Sequence, residues 1–488
     1  MLFNSIEFVI FFPLVLIVCF SLPWRWQWVF LLAASYAFYM AWKPAYIILI
    51  LISTAIDYWA GLALGATRDP RRRKLLLILS MSSNLGLLFT YKYLDFFLRS
   101  AGWVCDLAHL PVDIPVLNLL LPVGISFYSF QSMSYTIDVF LERQKPERNF
   151  GRFALYVTFF PQLVAGPIER SGSLLPQLRQ HFTFDSALMY SGLRLILWGL
   201  FKKMVIADRL AIIVNRVYET PFYFEGPILI IATVCFAFQI YCDFSGYSDI
   251  AIGAARTLNV DLMRNFNRPY TARSIQEFWS RWHISLSTWF RDYVYIPLGG
   301  NRTGRTRQSV NILAVFGLSG LWHGANWTFV IWGLLHAAYY LAQQWTARPR
   351  KWFYEKTGLA RLPRVRAALE IAVTFTLVNV GWVFFRAASM KEAVYICLAS
   401  FQGWDAFLGP GGWLALEARL RIYPDNLLTI CWPLAVLLIG EWASEKPWFD
   451  RVINDTPAWV RYPAYAVLCL IIMNMGVVNE ASFIYFQF

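Results

Sequence analysis

Apolar stretches of bilayer-crossing length recur along almost the whole chain, near residues 7–22, 27–42, 45–66, 75–98 and 119–140, then near 153–168, 188–213, 228–254, 310–345, 367–386, 427–443 and 462–479. About 20 predominantly apolar residues in helical form match the hydrocarbon thickness of a membrane. The composition agrees: 58% of the residues are hydrophobic and only 15% charged, against the roughly 45–50% apolar share of soluble domains. The expected fold is an all-α polytopic membrane protein with about 10–12 membrane segments, residues 1–488 forming a single integral membrane domain.

The net charge of +13 is not spread evenly. Basic residues cluster in short loops beside the apolar stretches, as in Arg68–Lys74, Glu142–Arg152, Asn301–Arg307 and Arg348–Arg366. That distribution follows membrane topology rather than nucleic-acid binding. Placing Arg68–Lys74 in the cytoplasm puts the loop Glu142–Arg152 there too, while the intervening Arg99–Asn118 carries one Arg against two Asp. Counting outward from these loops leaves both termini outside, with Lys391–Asp425 outside as well. The N-terminal apolar run has no preceding Lys or Arg and no small-residue cleavage site after it, so it is expected to be a retained span. The seven cysteines are scattered without a pairing or ligand pattern and read as packed thiols, with no metal or redox role.

Counting fails in one place. Arg302–Arg307 and Arg348–Lys351 flank a single apolar stretch, yet both carry the charge of a cytoplasmic loop. A break at "GLSGLWHGAN", where Gly317, Gly320 and Gly324 cluster, would let the segment enter and return. Irregular backbone at that depth persists only where protein or a cavity surrounds it. Residues 256–300 are too polar to cross, and are expected to form a re-entrant or interfacial helical unit.

The five histidines divide by context. His109 and His181 lie in polar loops and read as surface residues, whereas His283, His323 and His336 sit in or beside apolar segments, where ionisable groups are rare and face a polar interior. On a continuous helix His323 and Asn326 share a face, so the amide could fix the imidazole tautomer. His336, thirteen residues on, would turn away and reads as a core histidine. His283 lies in "EFWSRWHISLSTWFRDY", read as a rigid helix with a polar edge and interfacial tryptophans. Asp243 and Tyr247 stand one helical turn apart in "IYCDFSGYSDIAIG". A carboxylate there needs a partner, with Arg256, Arg268 and Arg273 as candidates; a structural ion pair and the orienting of a catalytic histidine are equally open. No local His spacing suits a metal, "GLSGLW" is no nucleophile elbow, and Asp57, Lys92, Asp138 and Asp208 would mark a transport path only with an inverted repeat, which is not visible.

Taken together, "LLPVGISFYSFQSMSYTIDVF" (120–140), "FFPQLVAGPIER" (159–170), "DFSGYSDIAIG" (243–253), "NFNRPY" (265–270), "SIQEFWSRWHISLSTWFRDYVYIPLGGNR" (274–302) and "GLWHGANWTFVIWGLLHA" (320–337) resemble the membrane-bound O-acyltransferase family. The nearest branch is the bacterial one that includes the alginate O-acetyltransferase membrane subunit and the D-alanine transfer protein of teichoic acid synthesis. The closing "FIYFQF" is similar to the way chains of this branch finish. The matching motifs cover most of 120–340. The resemblance implies a helical bundle with re-entrant helices in the bacterial inner membrane, with His323 matching the family's catalytic histidine and His283 the second, upstream one in a supporting role. It implies no permanently bound cofactor, acetyl-CoA as the acyl donor from the cytoplasm, and a polysaccharide hydroxyl or an extracytoplasmic partner protein as the acceptor. A neutral imidazole can take the proton of an attacking hydroxyl. Asn326, His283 or backbone N–H groups near a helix break are candidate donors to the oxyanion. D-alanyl transfer and a polytopic transporter are the alternative functions.

Overall fold

The computed structural model describes all residues except 111, 113, 165, 303, 410, 413–423, 478–482 and 485–488, and the described residues contain helices and no strand. Most of the closing "FIYFQF" and part of the loop expected outside at Lys391–Asp425 lie beyond the described residues. Among the described residues, five helices are long and apolar enough to cross a membrane: Pro44–Ala66, Pro70–Leu107, Pro227–Thr257, Pro363–Arg386 and Ala458–Met475. The local sequence explains where they begin. Asp69 accepts from the Arg71 N–H at the start of the second, and Pro70 sits at the position where a missing N–H costs nothing. The apolar stretch near 153–168 is not one helix, since Phe150–Thr158 stops at Phe159 and a short turn, Phe160–Leu163, follows with Pro161 in it.

The chain divides into two compact units, one of Met1–Ile196 with Tyr247–Arg264 and one of Leu197–Gly246 with Asn265–Phe488. Within the first, Asp57 is fully buried and joins three helices. Its carboxylate accepts from Asn84 Nδ2 at 2.9 Å, Thr136 Oγ1 at 3.3 Å and the Ser80 and Ser132 hydroxyls. Four donors satisfy its oxygens locally, so Asp57 acts as a polar fastener of the helix bundle. Asp138 lies 3.6 Å from Arg143, another local pair.

The second unit answers the topological conflict. The apolar stretch 310–345 is two helices, Arg305–His323 and Trp327–Trp345, joined by extended backbone at Gly324 (φ −166°, ψ 149°) and Asn326 (φ −147°, ψ 148°). They run antiparallel in close contact. A Cβ added at Gly320 would lie 2.3 Å from the Phe329 carbonyl oxygen, and one at Gly333 would lie 2.2 Å from that of Phe316. Only the absence of side chains lets the two backbones approach this closely. Each arm has 19 residues, about 28 Å at 1.5 Å per residue. The basic segments Arg302–Arg307 and Arg348–Lys351 therefore lie at the same end of one hairpin.

Residues 256–300 contain two short helices, Ile275–Arg281 and Ile284–Phe290. The continuous interfacial helix expected around His283 is interrupted at Trp282 and His283. Trp282 is fully buried, in contact with Tyr270, Phe278 and Trp382. Its indole is part of the core instead of a membrane-surface anchor.

Candidate active site

His323 is the last residue of the ascending arm of the hairpin, placed where the helix gives way to the extended turn. Its ring is 2% exposed as a residue and packs edge-on against Trp332 (4.9 Å, 87°), Trp322 (5.0 Å) and Phe385 (5.4 Å). His283, 1% exposed, brings its ring to 6.4 Å from that of His323. Two histidines forty residues apart in sequence thus meet inside one unit.

The backbone of His283 is left-handed, with φ 43° and ψ 54°. That conformation is costly for a residue with a Cβ, and persists only where surrounding contacts enforce it. Asn265 supplies them. Its carbonyl accepts from the Ile284 N–H at 2.9 Å, and its side-chain Oδ1 accepts from the Ser285 N–H at 3.2 Å and Ser285 Oγ at 2.9 Å. The same Oδ1 lies 3.2 Å from His283 Nδ1. A backbone N–H can only donate, so the amide atom facing Ser285 is the oxygen, and His283 Nδ1, facing that oxygen, carries the ring hydrogen. The lone pair is then on Nε2. Burial pushes the His283 pKa down to about 3, so the imidazole is neutral at ordinary pH. Asn265, eighteen residues upstream, was not singled out in the sequence; "NFNRPY" marked its neighbourhood without assigning it this contact.

Asn326 does not share a face with His323, because the helix ends between them. Its Oδ1 caps the return arm by accepting from the Thr328 N–H at 3.1 Å, and its Nδ2 donates to the Ala388 carbonyl at 3.1 Å. The tautomer-fixing amide is on the other histidine. His336 is fully buried on the return arm, stacked on Phe278 (11° between planes) and flanked by Trp279 and Trp332, each at 5.1 Å. His109 and His181 are exposed.

Asp243 is paired with Lys203 at 2.6 Å, not with Arg256, Arg268 or Arg273, and Lys203 also holds Asp208 at 2.8 Å. The other Asp243 oxygen accepts from the Ile484 N–H at 2.8 Å. Spacing along the helix gave no hint of this lysine, which lies forty residues earlier. The next residue, Phe244, meets the His283 ring edge-on at 4.6 Å, so the ion pair fixes a helix segment that walls the site. Tyr247 instead donates to Asn4 Oδ1 at 3.0 Å, within the first unit.

Trp332, one tryptophan among 22, is a further candidate that the sequence did not single out. It is fully buried against His323, and its Nε1–H has no acceptor among the described residues. A buried donor beside an imidazole can hydrogen-bond an oxygen on which charge develops.

Comparison with known proteins adds the chemistry. The model of the "MBOAT, membrane-bound O-acyltransferase family" matches residues 29–357. A Pseudomonas putida protein called "Probable alginate O-acetylase AlgI" is 39% identical, with all of both chains covered. The peptidoglycan O-acetyltransferase of Helicobacter pylori is 35% identical over 75% of this chain and 72% of its own. The teichoic acid D-alanyltransferase of Bacillus subtilis is 28% identical over 57% of this chain and 72% of its own.

Proposed function

The chain belongs to the membrane-bound O-acyltransferase family, and from that premise we propose that it passes an acetyl group from cytoplasmic acetyl-CoA towards an extracytoplasmic polysaccharide, directly or through a partner protein. The setting is the bacterial inner membrane. The observation that carries the reading is the buried pair His283 and His323, ring centroids 6.4 Å apart, at the turn of an apolar hairpin.

In this mechanism His323 takes the proton from the attacking hydroxyl as the oxygen adds to the thioester carbonyl. The C–S bond then breaks, and the imidazolium gives the proton to the leaving thiolate, which departs as the free thiol of CoA while the hydroxyl oxygen keeps the acetyl group. His283, held as the Nδ1–H tautomer by Asn265, offers an acceptor at Nε2 and is therefore a partner for the hydroxyl or for His323, not a donor to the oxyanion. The Trp332 indole N–H, beside His323, fills the donor role that the sequence suggested for Asn326 and His283. Asn326 is spent on capping the return arm.

Acetyl is favoured over D-alanyl by the relatives: the alginate O-acetylase relative aligns over the whole chain at 39% identity, whereas the D-alanyltransferase aligns over 57% at 28%. The test supplies membranes containing the chain, its neighbouring gene products and acceptor polymer with acetyl-labelled CoA, or with a labelled D-alanyl carrier thioester. The reading expects label in the polymer from the first alone. Label from D-alanine, or solute flux without acyl transfer, would replace it with one of the two alternatives.

A further inference from the structure

The segment after the return arm carries chemistry that acyl transfer does not use. The helix Ala347–Lys356 and the start of Pro363–Arg386 line a pocket of about 400 Å³ with Arg350, Lys351, Tyr354, Glu355, Arg366 and Glu370. Its three cations are in different situations. Arg366 donates to Glu370 at 3.1 Å and lies 5.1 Å over the Tyr354 ring, so its place is fixed. Lys351 stands 3.9 Å from Glu355, and both side chains are well exposed, which makes the pair weak and exchangeable.

Arg350 has no carboxylate partner among the described residues. One end of its guanidinium donates to the Gln343 carbonyl at 2.8 Å, while its Nε is buried with no acceptor. A planar fork pinned at one end with a desolvated N–H at the other is prepared for an anion with several acceptor oxygens, and a phosphate has that form. The surroundings narrow the source of the phosphate. Trp345, Trp352 and Phe353 are 68%, 63% and 50% exposed; Trp352 and Phe353 lie on the helix face turned away from the pocket, as the aromatic anchors of a membrane-surface helix do. Aromatic anchors on the same short helix set the pocket at the depth of the lipid headgroups, where the phosphate in reach is that of a phospholipid.

We propose that this pocket holds the headgroup phosphate of an anionic phospholipid, with Arg350 as its principal donor, Lys351 and Arg366 completing the charge, and the acyl chains running into the adjacent bilayer. The site is separate from the histidine pair, and the proposal is independent of the acyl-transfer reading. Segment 348–366 contains seven basic residues and one acid, so a general electrostatic attraction to a membrane surface must be distinguished from a built site.

The experiment titrates the purified full-length chain in detergent with dioleoyl-phosphatidylglycerol or dioleoyl-phosphatidylcholine and counts retained lipid by native mass spectrometry. Wild type is expected to retain phosphatidylglycerol preferentially. Arg350→Gln should weaken that retention at least tenfold and Arg350→Lys, which keeps the charge without the fork, several-fold. Arg348→Gln, which removes the same charge from outside the pocket, should bind as wild type does. Equal losses in Arg348→Gln and Arg350→Gln, or no preference for the anionic lipid, would overturn the site. Displacement of phosphatidylglycerol from wild type by millimolar inorganic diphosphate would assign the pocket to a soluble phosphate and overturn the lipid. Thermal unfolding of each variant identifies any that fails to fold, in which case Arg350→Lys decides.

Discussion

At the scale of single residues, the proposed mechanism depends on which nitrogen of His283 carries the proton. Asn265→Ala removes both the acceptor facing Nδ1 and the side-chain hold on Ser285, and is expected to lower acyl transfer by about 10²-fold, the scale of an acid–base contribution. Asn265→Asp keeps the acceptor but sets a carboxylate beside the imidazole, which raises its pKa. A histidine that must be neutral is then protonated at higher pH, so the acid limb of the pH–rate profile should move upward in Asn265→Asp, while wild-type His283, at about 3, contributes no limb above pH 5. A profile identical to wild type would argue against the contact. Trp332→Phe keeps the ring against His323 and deletes the N–H; kcat should fall by about 10²-fold with little change in KM, and an unchanged kcat would remove Trp332 from the oxyanion role. That His283 and His323 are buried was legible because ionisable side chains are rare in apolar sequence. Asn265 and Lys203 were not, since each reaches its partner across 18 and 40 residues of chain, a distance that helical periodicity does not report.

Among the helices, the hairpin is decisive. Its break was legible from two independent features, the glycines around Gly320 and a charge pattern no single helix could satisfy. What the sequence could not supply was the position of the break to within a turn: reading Asn326 on the face of His323 assumed helix across Gly324, where the chain is extended. The same assumption merged Ile275–Arg281 with Ile284–Phe290, because spacing of aromatic and polar residues looks helical on either side of a single left-handed residue. The close approach of the arms predicts the effect of bulk. Gly320→Val would push a side chain into the Phe329 carbonyl, and a cost of about 1–3 kcal/mol is expected from overpacking alone. Lower thermal stability together with loss of transfer supports the tight hairpin; a variant as stable and active as wild type would show that the arms separate freely.

For the whole molecule, helical class and membrane residence follow from apolar length and composition, and five long apolar helices among the described residues embody them. The division into two units has no counterpart in the sequence, because no linker or composition shift marks residues 196, 246 or 264. Orientation is where the charge pattern makes its strongest claim. With the basic ends of the hairpin inside, both termini should be outside. A C-terminal alkaline phosphatase fusion is expected to be active and a green fluorescent fusion dark; the reverse result would invert the topology and with it the side from which the donor enters.

The central claim is that His323 is the base. Rates of labelled acetyl transfer to polymer in membranes carrying equal amounts of folded wild type, His323→Ala and His336→Ala test it most directly. The account predicts a loss of at least about 10²-fold for His323→Ala and a far smaller change for His336→Ala, whose ring is packed in the aromatic core. Transfer undiminished in His323→Ala would contradict it.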